Sequence, residues 1–151
     1  MTRLLLLCIA ILSTQASAAD WQVFEKHARV SSWIDRSSHS HEDTVYSAWI
    51  KDVHTTPQRL RRGAGAGMYD QTLELVHMNC ASRRFSIEKS VHQRANGSLV
   101  IETTHRERYT PVVPDSPAEA RYKALCGPAY GKLHELRDKG VRFVPLDADR
   151  R

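Results

Sequence analysis

Short hydrophobic runs separated by polar turns dominate this chain and predict a β-rich fold. In segment 83–92, apolar Phe85, Ile87 and Val91 alternate with polar residues, which is typical of a strand with one buried face. Asn96-Gly97 follows this segment and favours a tight hairpin turn. Six segments have the length and the branched or aromatic content of strands: 21–26, 30–35, 44–53, 72–80, 83–92 and 98–105.

Segment 44–53 has large apolar residues at both alternating sets of positions. Trp49 falls on one face, and Tyr46 and Ile50 fall on the other. A strand that is apolar on both faces is typical of the middle of a covered sheet. We therefore expect this strand to be central and covered on both sides, with Trp33 and Trp49 in the core. The Gly-rich stretch that follows, His54 to Gly67, predicts a loop.

A helix is predicted from Ser116 to Cys126 by its start signals. Ser116 is the expected N-cap, Pro117 occupies the first helical position, and Glu119 stands where it can close a capping box. Gly127 and Pro128 end the helix. The predicted fold class is therefore α+β: a single antiparallel sheet of about six strands with a C-terminal helix packed on it.

The N-terminus has the three parts of a secretory signal. Arg3 is followed by the apolar run Leu4 to Leu12 and by small residues up to Ala19. The apolar run is shorter than the roughly 20 residues that cross a bilayer, so we expect no transmembrane segment. We assign 1–19 to a signal peptide, 20–127 to one domain, and 128–151 to an extension with a short helix or partial disorder. The mature protein would be periplasmic, outer-membrane-associated or secreted, without a lipid anchor.

Two cysteines, Cys80 and Cys126, remain after removal of the signal. Cys80 ends a predicted strand and Cys126 ends the predicted helix. In an oxidising compartment a disulfide between them would tie the helix to the sheet. The bridge would also leave no free thiol for catalysis.

The basic charge of the chain bears on its partners. The net charge is +5, or +4 without Arg3, and no block of five or six like charges occurs. Export and this mild charge favour an anionic surface over nucleic acid as a partner. The candidate residues for such a surface are Arg59, Arg61, Arg62, Arg83 and Arg84. The alternative is that these arginines keep loops soluble and protect strand edges from aggregation.

Histidines raise the question of a metal or an enzyme. His39 and His41 stand at alternate positions, as two ligands on one strand face would, but the segment also fits a solvated loop between strands. No third ligand is evident, so we expect no metal and no other cofactor. No nucleophile–base motif is evident either, and we expect no catalysis.

Several segments together resemble the surface-adhesin protein E family of small exported proteins from Gram-negative bacteria. They are 32–38, 80–85 and 111–119, with Cys126 closing the helix. The resemblance spans about residues 20–127. It implies an antiparallel sheet carrying a C-terminal helix, an outer-membrane or periplasmic location and, as for the namesake of the family, binding to host extracellular-matrix proteins.

The expected function is therefore that of an exported binding protein. One alternative is a periplasmic structural or inhibitory protein, and a weaker one is a metal-binding or hydrolytic protein that uses His39 and His41. Pairing of two copies through an exposed sheet edge is a further expectation.

Overall fold

The computed structural model describes residues 19–60 and 67–128. Residues 1–18 of the predicted signal peptide, Arg61, Arg62 and the short helix expected in the C-terminal extension lie outside these ranges. The described part contains one sheet and one α-helix, α1 (Pro117–Cys126). The predicted α+β class is confirmed.

Six strands follow one another across the antiparallel sheet in the order β1-β2-β4-β5-β6-β7. Two short strands are added at the end of the sheet where β4 and β6 begin: β3 pairs with β4, and β8 pairs with β6. The strands are β1 (Trp21–Lys26), β2 (Val30–Asp35), β3 (Ser40–Glu42), β4 (Val45–Arg59), β5 (Met68–Asn79), β6 (Arg84–Gln93), β7 (Leu99–Thr104) and β8 (Thr110–Pro111).

Strands β4 and β5 are longer than predicted. The loop expected from His54 onward is wrong in its first part, because β4 continues to Arg59 and pairs with Met68 at the start of β5. The pairing register shifts between Val53 and Gln58, and Pro57 lies in that irregular stretch. Proline cannot donate to a strand ladder, so a bulge is where a strand tolerates it.

The segment around His39 and His41 also differs from the expected loop. Ser40–Glu42 forms β3, which pairs with the start of β4. Asp43 takes a left-handed conformation, with φ of 52°, at the turn between the two strands. Aspartate is among the few non-glycine residues that adopt this conformation readily.

The Asn96-Gly97 hairpin is confirmed between β6 and β7. The Gly97 amide donates to the Arg94 carbonyl at 2.8 Å, and the Arg94 amide donates to the Ser98 carbonyl at 2.9 Å. Of the Asn-Gly pair only Gly97 has a positive φ, 82°. This is the three-residue hairpin loop with a left-handed last residue rather than a two-residue turn.

Helix α1 begins and ends where the sequence predicts. The Glu119 amide donates to Ser116 Oγ at 3.4 Å, as expected of an N-cap. The Glu119 carboxylate accepts from the amide of Asp115, one residue before the N-cap, so the second half of the expected capping box is displaced by one residue.

The core lies between α1 and one face of the sheet. Leu125 of the helix is buried together with residues of β2, β4 and β5. The predicted disulfide joins Cys80 to Cys126 next to this core. Tyr122 Oη donates to the Cys80 carbonyl at 3.3 Å, which adds a second connection between helix and sheet. The buried apolar residues of the described ranges are Ile34, Ala48, Ile50, Val76, Met78, Val112 and Leu125.

Within the described ranges, no helix is long and apolar enough to cross a membrane.

Candidate binding surface

The sheet face opposite α1 carries an aromatic and aliphatic surface. Side chains alternate along a strand, so residues 49, 51, 73 and 75 point away from the face on which Ile50 and Val76 contact the helix. The register places Trp33 beside Lys51, Lys51 beside Leu73, and Leu73 beside Val91, while Trp49 pairs with Leu75. Trp21 joins this group through its contact with Lys51. We call this set the tryptophan face: Trp21, Trp33, Trp49, Lys51, Leu73, Leu75 and Val91.

The tryptophan face is partly exposed. Each of its members is half-buried, and none belongs to the buried core. In the described ranges the one α-helix, α1, packs on the other side of the sheet. Contrary to expectation, Trp33 and Trp49 therefore lie outside the buried core, although the Nε1 atom of Trp33 is itself buried, and within the described ranges α1 covers only one face of β4. The apolar residues on both faces were visible in the sequence, but in the part of the chain that the structure describes, α1 covers only one of these faces.

Lys51 lies in the middle of the tryptophan face. Its Nζ is 4.1 Å from the ring centroid of Trp21 and 5.8 Å from that of Trp33. Burial lowers the pKa of Lys51, and the charge of Asp35 opposes this only in part. Asp35 is already engaged, because its Oδ1 accepts from the Asp20 amide and from both the amide and the hydroxyl of Ser37. Within the described ranges Lys51 makes no ion pair and is held by aromatic rings.

A polar row borders the tryptophan face. Ser47 Oγ lies 2.7 Å from His77 Nδ1, and His77 Nε2 lies 2.8 Å from Glu88 Oε2, beside a cleft of about 730 Å³. This order of hydroxyl, imidazole and carboxylate is the one found where a nucleophilic serine is activated by a histidine base that a carboxylate orients. However, Ser47 pairs with β3 on one side and with β5 on the other, so the neighbouring amides belong to strand ladders rather than to an oxyanion hole. We interpret the row as cross-strand hydrogen bonding.

A buried ion cluster lies under the helix. Arg121 Nη2 is 2.8 Å from Asp52 Oδ2, and Arg121 Nη1 is 2.7 Å from Glu74 Oε2. Burial alone would lower the pKa of Arg121, but the carboxylates of Glu74 and Asp52 outweigh this effect and raise it. Ser32 Oγ donates to Asp52 Oδ1 at 2.6 Å.

Sequence reasoning missed this cluster, although one signal was present. Arg121 stands three residues after Ala118 and directly before Tyr122, within the apolar side of α1. A charged residue at such a position needs a buried partner. Because the guanidinium is occupied by two carboxylates, we assign the cluster to holding α1 on the sheet.

The predicted arginine residues do not gather at one place. Arg59 ends β4 opposite Met68, whereas Arg84 begins β6 opposite Asn79. The length of β5 therefore separates them by roughly 35 Å, at about 3.3 Å per residue. Arg61 and Arg62 lie outside the described residues.

Arg83 and Arg84 are exposed but make contacts within the protein. The Arg83 guanidinium lies 4.5 Å from the ring centroid of Tyr122, and its Nη2 is 3.5 Å from Glu119 Oε1. Arg84 Nη2 donates to the Tyr109 carbonyl at 2.7 Å. These contacts fit a role at the edge of the sheet at least as well as a role in ligand binding.

His39 and His41 lie on the same side of the chain, as their spacing predicts. Both imidazoles contact the Tyr46 ring, with centroid separations of 5.7 Å and 5.4 Å. In the described part of the chain, no group of three or more His, Cys, Asp and Glu side chains is placed to hold a metal ion.

Comparison with known proteins identifies the family. The family described as Surface-adhesin protein E matches residues 21–127. This range covers the whole sheet, the disulfide and α1. No curated protein and no solved structure matches the chain.

Proposed function

We propose that this chain, which belongs to the surface-adhesin protein E family, binds host extracellular-matrix proteins through its tryptophan face. Membership of the family makes it an adhesin-like exported protein. The matrix proteins as partners, the tryptophan face as the binding surface and the cell surface as the location are parts of the proposal.

The observation that carries the proposal is the placement of the tryptophans. All three tryptophans of the chain, Trp21, Trp33 and Trp49, lie on the sheet face that α1 leaves open. Tryptophan is enriched among the residues that contribute most to protein–protein binding, because a rigid ring buries a large area at little entropic cost. Aliphatic Leu73, Leu75 and Val91 extend the same surface.

Binding to a matrix preparation tests the proposed surface. Immobilised basement-membrane extract is the probe, at physiological salt and at about 0.5 M salt, which screens exposed charge attraction. We expect binding to persist at high salt in the wild type and to fall at least about tenfold, or roughly 1.4 kcal/mol, in Trp49→Thr and Leu75→Thr.

The matched control is Val113→Thr, because Val113 is exposed and apolar but lies outside the tryptophan face. Circular dichroism checks that each variant keeps its sheet. Wild-type binding by both face variants would refute the assigned surface, and binding abolished by salt would reduce the interaction to nonspecific basic charge. Fractionation with external protease tests surface display, and a strictly periplasmic protein would contradict adhesion.

A further inference from the structure

We infer that the partner of the tryptophan face is a polypeptide segment that places a carboxylate against Lys51, among apolar side chains. This inference rests on the proposed function, since it concerns the chemistry of the ligand at the same surface. It also goes beyond that function, because it says which kind of segment binds.

The position of Lys51 is the first argument. Lys51 is flanked by Trp33 and Leu73 on the neighbouring strands, so a partner that covers the tryptophan face also covers its ammonium group. A charge that loses water without gaining a partner strongly disfavours association. Asp35 attracts Lys51, but within the described ranges it forms no ion pair with it, and its Oδ1 is held by three hydrogen bonds from Asp20 and Ser37.

The contrast with Lys89 is the second argument. Lys89 lies beside Leu75 toward the β7 edge, and its Nζ is 2.6 Å from Glu102 Oε1. The lysine at the rim is thus paired within the protein, whereas the central lysine contacts aromatic rings and, within the described ranges, makes no ion pair. Among the described residues, the centre of the surface therefore carries a cation without an ion-pair partner, and an incoming anion is complementary to it.

The surroundings of Lys51 decide between sources of the anion. Leu73, Leu75 and Val91 need apolar side chains from the partner to be buried, and a sulfated glycan chain has none to offer. A polypeptide provides both: a Glu or Asp side chain for Lys51 and neighbouring apolar residues for the aliphatic part. We therefore assign the site to a carboxylate-bearing polypeptide rather than to a sulfated glycan.

The experiment uses two synthetic strand peptides of about ten residues, the upper length of common strands. Both alternate Leu with Thr and lack tryptophan, and they differ only in a central Glu or Gln. Binding is followed by the tryptophan emission of the exported chain, because all three tryptophans lie on the face concerned. The variants are Lys51→Met, which keeps apolar length without charge, and Lys51→Arg, which keeps the charge.

We expect the Glu peptide to bind the wild type at least about tenfold more tightly than the Gln peptide. This preference should vanish in Lys51→Met and persist in Lys51→Arg. Equal affinities of the two peptides for the wild type, or no binding of either, would overturn the inference. Heparin binding that depends on Lys51 and displaces the Glu peptide would overturn it in favour of a sulfated glycan.

Two further outcomes separate this inference from the proposed function. If Lys51→Met retains full binding to basement-membrane extract while Trp49→Thr loses it, the acidic-segment inference is wrong and the surface assignment stands. If dilution shows that two copies of the chain cover the tryptophan face in solution, an external acidic segment is excluded as its occupant.

Discussion

Replacing Arg121 with Ala should be among the most destabilising single changes in this domain. The guanidinium lies between Asp52 and Glu74, and all three side chains are less than a fifth exposed. Removing it leaves two carboxylates facing each other beneath the helix, without a counter-ion. Breaking a buried ion pair in this way costs about 3–5 kcal/mol, against a total stability of about 5–15 kcal/mol for a typical domain.

Urea unfolding followed by circular dichroism measures this loss. Lys123→Ala is the matched control on the same helix, because Lys123 is exposed and pairs with Glu119 at 3.4 Å. An exposed pair of this kind contributes less than about 1 kcal/mol. Lowering the pH should restore part of the stability of Arg121→Ala, since protonating one carboxylate removes the repulsion.

A triple variant tests whether the loss of stability in Arg121→Ala comes from the unpaired carboxylate charges. In Arg121→Met with Asp52→Asn and Glu74→Gln, the shapes are nearly kept and no charge remains, so we expect a stability much closer to the wild type than that of Arg121→Ala. The reasoning would be refuted if Arg121→Ala lost no more stability than Lys123→Ala, or if its deficit did not shrink in acid. In that case the ion cluster does not hold α1 on the sheet.

Three further changes test other parts of the fold. Reduction of Cys80–Cys126, which closes a loop of 46 residues, should lower the free energy of unfolding by about 4 kcal/mol, as measured by urea titration with and without reductant. Ser116→Ala should cost about 1 kcal/mol through loss of the N-cap, and an unchanged urea midpoint would contradict this. Burial lowers the pKa of His92; the charge of Glu74 opposes this shift and that of His54 adds to it. As the pH falls, His92 therefore binds its proton at a higher pH in the unfolded chain than in the folded one. Stability should therefore fall as pH drops below about 6.5, and this fall should be smaller in His92→Gln.

The strand pattern, the hairpin and the helix were predictable because each depends on local signals. Ser116 and Pro117 mark the helix start without reference to the rest of the chain. Cys80 and Cys126 could be paired because no other cysteine remains after removal of the predicted signal. The continuation of β4 past Pro57 was not predictable in this way, because pairing with Met68 and Tyr69 of β5 holds it in the sheet.

The binding surface was harder to predict for a different reason. Trp49 and Ile50 are neighbours in one strand, and both are apolar. Which of them is covered depends on the side on which α1 packs, and this is a tertiary property. The ion cluster could not be predicted for the same reason, since Asp52, Glu74 and Arg121 meet only after the helix packs on the sheet.

Hydroxyl-radical footprinting of the exported chain, free and bound to basement-membrane extract, tests the central claim most directly. We predict that Trp21, Trp33 and Trp49 are oxidised in the free protein and protected in the complex. Met68 is exposed at the far end of β5 and should be oxidised equally in both states. Protection elsewhere, with all three tryptophans oxidised as strongly in the complex as in the free protein, would contradict the claim that the tryptophan face is the binding surface.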